Sequence, residues 1–147
     1  MPVTLYDLKH IDTPRLFIRP VQLGDEVLLH ESIERSLPAL ERWMPWARGT
    51  NFEATRDFIH RGFTHWQSRT SRDFPLLVIH KDSQKVISAS GFNEHSNLDK
   101  PCLEIGYWMD STFVGQGLAT ELVNALTRFF IAGIKCDSCA NLYSNSK

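Results

Sequence analysis

The chain has 147 residues, 42% of them hydrophobic and 22% charged, with a formal net charge of −1 at neutral pH. That size and apolar content suit one globular domain spanning 1–147 with its own core, and scattered Lys and Arg in a near-neutral chain argue against a nucleic-acid footprint. No apolar run approaches membrane-spanning length and MPVTLYDLKH lacks the apolar centre of a signal peptide, so the expectation is a cytoplasmic protein with no membrane partner.

In chain order, TPRLFIRPV alternates around Leu16 and Ile18 as a half-buried strand should, and Pro20 ends it. GDEVLLHESIERSL opens acidic and then spaces Leu29, Ile33 and Leu37 at helical intervals, which predicts a short helix stopping at Pro38. ALERWMPWARG fits neither period and is expected as a loop bearing Trp43 and Trp46. Thr50 and Glu53 match a capping box, and Phe52, Ile59, Phe63 and Trp66 recur at helical spacing up to about Thr70. DFPLLVIH and KVISASGF flank the turn residues KDSQ and predict a hairpin. A polar loop, NEHSNLDKP, leads into the strand CLEIGYWM. A third helix follows with Leu118, Leu122, Ala125, Leu126, Phe129 and Phe130 on one stripe and Gly133 to stop it, and IKCDSCANL is a last, weaker strand.

The resulting order, β-α-α-β-β-β-α-β, predicts an α+β domain with a mixed sheet covered by helices and a right-handed crossover through residues 117 to 133. Three cysteines are too few for a disulfide framework. The C-x-x-C of Cys136 and Cys139 has no second pair to complete a zinc site, so it reads as ordinary strand, and no metal is expected. His60 and His65 lie five apart, on different faces of a helix, and read as surface residues.

Gly115 and Gly117 stand where the third helix is about to begin. First-turn amides lack intrahelical partners and the helix dipole is positive there, so the pair could open a cradle for a phosphate; a tight turn needing positive φ explains the same glycines. Neither the Walker template nor G-x-G-x-x-G fits, since the latter would need glycine at Thr120.

TPRLFIRP, MPWA, ISASGF, EIGYWMDSTFVGQGLATE, and Asn141 with Ser144 in NLYS occur here in one order along nearly the whole chain. Together they resemble the GNAT superfamily of acetyl-CoA-dependent N-acetyltransferases, in its RimJ/RimL-type branch. That resemblance implies a GNAT-like, largely antiparallel sheet flanked by helices, with acetyl-CoA as co-substrate and a primary amine, a protein N-terminus or small amine, as acceptor. The family's Q/R-x-x-G-x-G/A motif falls on Val114, Gly117 and Ala119; Val114 departs from it, which implies weakened affinity, and Gln116 offers a nearby polar side chain. Coenzyme contacts are thus expected from Trp108, Met109, Val114, Gly115, Gln116, Gly117, Leu118, Ala119, Thr120 and Asn141. The family's strands splay at a bulge near Trp108 and Met109, so that a pantetheine arm fills the gap and the Met109 amide faces the developing oxyanion.

By the same resemblance Glu104 is the candidate base and Ser144 the candidate acid, each with a plain alternative as a strand-edge carboxylate and a turn hydroxyl. His95, expected on the preceding loop, is a further possible base, and Cys102 reads as a core thiol. Trp43 and Trp46 either wall the acceptor site or close an edge of the core. The family pattern normally continues into another helix and a final hairpin, so the domain is expected to be C-terminally incomplete. Its last strand would then offer an open edge for pairing with a second copy, as a homodimer. Val114 and the missing end also raise an alternative, a degenerate domain that binds CoA or a protein partner without catalysis.

Overall fold

A computed structural model describes residues 8–68, 73–97, 100–133 and 140–142, with 92–97, 100–104, 130–133 and 140–142 described by backbone alone. One six-stranded sheet runs β1 (Ile11–Asp12), β2 (Leu16–Pro20), β3 (Asp73–His80), β4 (Lys85–Asn97), β5 (Lys100–Tyr107) and β6 (Ala140–Leu142), in that spatial order. Every neighbouring pair is antiparallel except β5 and β6, which are parallel as a helical crossover requires. The helices are α1 (Glu26–Trp43), α2 (Phe52–Ser68) and α3 (Leu118–Gly133). The consecutive residues Leu76, Leu77 and Val78 are all buried, so both faces of the sheet are covered at β3. α1 packs on β4, α2 on β3, and α3 reaches β1 and β2. No helix among the described residues is long and apolar enough to cross a membrane.

The predicted order is present, with four local differences. α1 does not stop at Pro38 but runs through it to Trp43. Proline removes one backbone donor, yet Ile33 before it and Leu40 after it are both buried, and the Met44 N–H still reaches the Leu40 carbonyl at 2.7 Å. Burial on both sides holds the helix together. α2 is capped by Asn51, whose Oδ1 accepts from the Ala54 N–H at 2.9 Å, rather than by Thr50. Its buried stripe is Thr55, Ile59, Gly62 and Trp66, while Phe52 is exposed and meets His30 edge-on.

The third difference concerns NEHSNLDKP, most of which is strand. β4 extends to Asn97, with His95 opposite Cys102 and Asn97 opposite Lys100, so His95 belongs to a strand and not to a loop. Backbone pairing in a hairpin arm needs no apolar face, so a polar composition does not exclude strand. The fourth is β1, a two-residue strand with no sequence signal, formed where Thr13 turns the chain back: its N–H bonds the Leu16 carbonyl at 2.9 Å and its hydroxyl accepts from the Leu16 N–H at 2.8 Å. Cys136 and Cys139 lie outside the described residues.

Candidate active site

Gly115 and Gly117 both adopt positive φ, 79° and 77°, in the turn between the Ser111–Phe113 3-10 turn and α3. A Cβ at Gly115 would meet no atom within 4 Å, and one at Gly117 would sit 3.5 Å from an Arg15 nitrogen, an ordinary contact. Backbone conformation therefore demands the glycines, and the space beside Gly115 is open. The first intrahelical bond of α3 runs from the Glu121 N–H to the Gly117 carbonyl at 3.1 Å, so the N–H groups of Leu118, Ala119 and Thr120 have no partner within the helix. Val114, Gly115, Gln116, Gly117 and Thr120 are exposed, Ala119 is half-buried, and Leu118 anchors the turn in the core.

A clamp from the other end of the chain holds this turn. Arg15 donates to the Gln116 carbonyl at 2.8 Å and to Glu121 Oε1 at 2.8 Å, while Glu121 Oε2 accepts from the Arg15 N–H at 2.9 Å and from the Thr13 hydroxyl at 2.5 Å. Burial alone would push the Glu121 carboxyl up; the bonds from Thr13 and Arg15 outweigh it and hold the carboxyl below its ordinary value. Arg15 is partly exposed, so solvent discounts the pair to about 1 kcal/mol of coupling. A double-mutant cycle with Arg15→Ala and Glu121→Ala should return that coupling, each single variant lowering Tm by roughly 3 °C.

Before the turn, β5 leaves its neighbour. Regular pairing with β4 ends at Ser90 opposite Tyr107, after which Ser88 Oγ donates to the Trp108 carbonyl and the Asp110 N–H to the Ile87 carbonyl at 2.7 Å. The Asp110–Ile87 bond keeps the register of the ladder, so the expected bulge is not present as an inserted residue; the Trp108 carbonyl instead takes its bond from the Ser88 side chain. Ser90 Oγ likewise donates to the Gly106 carbonyl at 2.6 Å. Trp108 and Met109 are buried at this point. Asp110 follows, fully buried, its Oδ2 accepting from Ser32 at 2.7 Å and from Arg35 at 2.8 and 3.0 Å, and its Oδ1 from the Thr112 N–H at 2.9 Å. Ser32 and Arg35 are both on α1, so the segment leading to the glycines is pinned to that helix.

On the α1–α2 side lies a groove of about 800 Å³. Its floor is Ser90, Gly106, Tyr107 and Trp108, and Trp43 and Trp46 line its mouth. Those two tryptophans are 48% and 45% exposed, so they wall the groove and do not close a core edge. The Trp46 and Trp108 rings are 6.2 Å apart and tilted, which makes Trp108 common to the groove and to the segment that runs on to the glycine turn.

Of the remaining sequence-predicted residues, Glu104 pairs by register with Asn93 on β4 and with Asn141 on β6, so two candidates share one level of the sheet. The side chains of Glu104 and Asn141, and Ser144 altogether, lie outside the described residues. Sequence reading missed Arg15, Thr13 and Glu121 as the clamp, and Ser88 with Asp110 as the anchors of the departing strand. No local signal marks them, because each contact joins residues 20 or more positions apart.

A profile of the acetyltransferase (GNAT) domain matches residues 15–143. No curated protein matches the chain in sequence. Among solved structures, the ribosomal alpha-N-protein acetyltransferase RimL in complex with coenzyme A superposes with a TM-score of 0.71 at 22% identity, over 83% of this chain and 67% of that one. An acetyl transferase from Salmonella typhimurium that modifies the N-terminal serine of a 50S ribosomal subunit protein gives 0.70 at 22% identity, over 84% and 69%. The microcin self-immunity acetyltransferase MccE, in complex with acetyl-CoA and AMP, gives 0.70 at 21%, over 83% and 66%. The chain thus spans about two thirds of the length of these structures, and identities this low carry the fold alone.

Proposed function

The chain belongs to the GNAT acetyltransferase family, and on that premise we propose that it moves an acetyl group from acetyl-CoA to a primary amine by direct attack in a ternary complex. The observation that carries this reading is the turn at Gly115 and Gly117, where two positive-φ glycines, the first with open space beside it, precede three helix-start amides. Backbone donors at Leu118, Ala119 and Thr120, with the positive end of the α3 dipole, suit the coenzyme's diphosphate. Val114 and Gln116 border that turn, and Trp108, Met109 and Asn141 would flank the pantetheine arm. The residues present fit the co-substrate, which supplies an activated thioester.

The groove beside Trp108 would receive the acceptor, with Trp43 and Trp46 as its walls. A protein N-terminus is the acceptor class favoured by the named activity of two of the structural neighbours. An α-amino group has a pKa near ~8 and a lysine near ~10.4, so the attacking amine must shed a proton at neutral pH. Glu104 takes that proton, directly or through a water. The amine nitrogen then bonds the acetyl carbon, the carbon–sulfur bond breaks, the thiolate takes a proton from Ser144, and the extra proton on the nitrogen passes to Ser144, directly or through a water, leaving a neutral amide and a neutral serine. The Met109 N–H stabilises the charge that gathers on the acetyl oxygen.

One observation favours a second reading, in which the domain binds CoA or a protein partner without transfer: exposed Val114 stands where the family carries Gln or Arg. Thiol release from acetyl-CoA with a panel of N-terminal peptides and small amines, run beside a direct binding measurement, separates the two. Amine-dependent release supports the enzyme; tight CoA binding with no release supports the binding module.

A further inference from the structure

We infer that Ser88 is a positioning residue for acetyl transfer, fixing the peptide between Trp108 and Met109 so that the Met109 N–H faces the coenzyme side. The aim of that donor rests on the acetyl-CoA reading above; its fixation does not.

In a trans peptide the C=O and the following N–H point in opposite directions. Ser88, fully buried on β4, donates its single hydroxyl proton to the Trp108 carbonyl, a nearer acceptor than the Ala89 carbonyl at 3.3 Å. With that carbonyl turned to β4, the Met109 N–H points away from it. The next peptide is fixed in the same sense, because the Asp110 N–H is held on the Ile87 carbonyl at 2.7 Å and so turns the Met109 C=O away from β4. Met109 therefore presents a donor and an acceptor on one side, as a residue of an unpaired strand edge does. Neither has a hydrogen-bond partner among the described residues. β6 pairs with β5 only at Leu103 to Ile105, short of this level within the described residues.

Ser88 acts as a hinge pin here. Past Tyr107 the Ser88 hydroxyl, not a β4 backbone amide, is the donor to the Trp108 carbonyl. Asp110, clasped by Ser32 and Arg35, prevents the far side from turning. The donor is thereby preorganised before the charge appears, which is the condition for it to lower a barrier.

The chain has three methionines, at 1, 44 and 109, so [15N]methionine labelling gives a small set of backbone amide signals. Met109→Leu identifies the Met109 signal by its loss, and Met44→Leu identifies that of Met44. In the ligand-free protein, Ser88→Ala should shift and broaden the Met109 signal while Met44 stays in place, and Ser88→Thr should restore it. With acetyl-CoA, the wild-type Met109 signal should move downfield, and Ser88→Ala should lose about ten- to a hundredfold in kcat with a smaller change in coenzyme affinity. If Ser88→Ala leaves the ligand-free Met109 signal where it was, the positioning role is wrong whatever the coenzyme does. If that signal responds to Ser88→Ala but wild-type Met109 ignores bound acetyl-CoA, the fixation stands and the coenzyme-facing role falls.

Discussion

Replacing Asp110 with asparagine is expected to cost about 3 kcal/mol of stability, the low end of the penalty for removing one partner of a buried ion pair because Arg35 keeps some solvent contact. The carboxylate is fully buried and accepts four hydrogen bonds, from Ser32, Arg35 twice and the Thr112 amide. Asparagine keeps the shape but loses the charge and one acceptor oxygen, and it leaves the Arg35 guanidinium against a neutral amide. A 147-residue domain has on the order of 5–15 kcal/mol in total, so the variant should lose a large part of its stability. Chemical denaturation of wild type and variant measures the difference.

The same residue sets an acid limit. Burial alone would raise the Asp110 carboxyl, but the bonds from Ser32, Thr112 and Arg35 outweigh it and hold the folded-state value below the ordinary 3.8. In the window between the two values the unfolded chain binds more protons than the folded one. The stability this carboxylate contributes is thus complete above about pH 4 and is lost as pH falls through the lower, folded value. Wild type should lose stability on acidification more steeply than Asp110→Asn, and parallel curves would remove Asp110 as the cause.

A second large effect is expected at Glu104. If it draws the proton from the acceptor, Glu104→Gln should lower kcat by about 10²-fold or more with little change in coenzyme affinity. The effect should shrink as pH rises toward the acceptor's own pKa, because more amine then arrives deprotonated. A variant with unaltered kcat at neutral pH would make Glu104 a strand carboxylate with no part in the chemistry. Its level in the sheet, beside Asn141 across the parallel pair and three residues before Tyr107 at the groove floor, is what makes the test worth doing.

How much of this was legible in the chain alone depends on how far each contact reaches. Leu16 and Ile18, the Leu118–Leu122–Leu126 stripe and the KDSQ hairpin follow from local period and turn chemistry, and all are where periodicity puts them. Pro38 misled, because a local breaker was outweighed by burial at Ile33 and Leu40 on the sheet side. Asn51 and Thr50 are adjacent and equally able to cap, so only geometry could choose. The glycines announced the turn and the family motif, but not the Arg15–Glu121 clamp that sets it, which joins positions 106 residues apart. Ser88 and Asp110 look unremarkable in sequence; their roles arise from what the fold brings opposite them.

The proposed transfer requires the turn at Gly117 to receive the coenzyme's diphosphate, and calorimetric titration of acetyl-CoA into wild type and Gly117→Val tests that most directly. Valine at φ 77° strains the backbone by roughly 1–2 kcal/mol and places a branched side chain at the mouth of the helix, beside the Arg15 guanidinium. Wild type is predicted to bind, and the variant to remain cooperatively folded while binding at least tenfold more weakly. Equal affinity in the two proteins, or no binding to wild type, would contradict it.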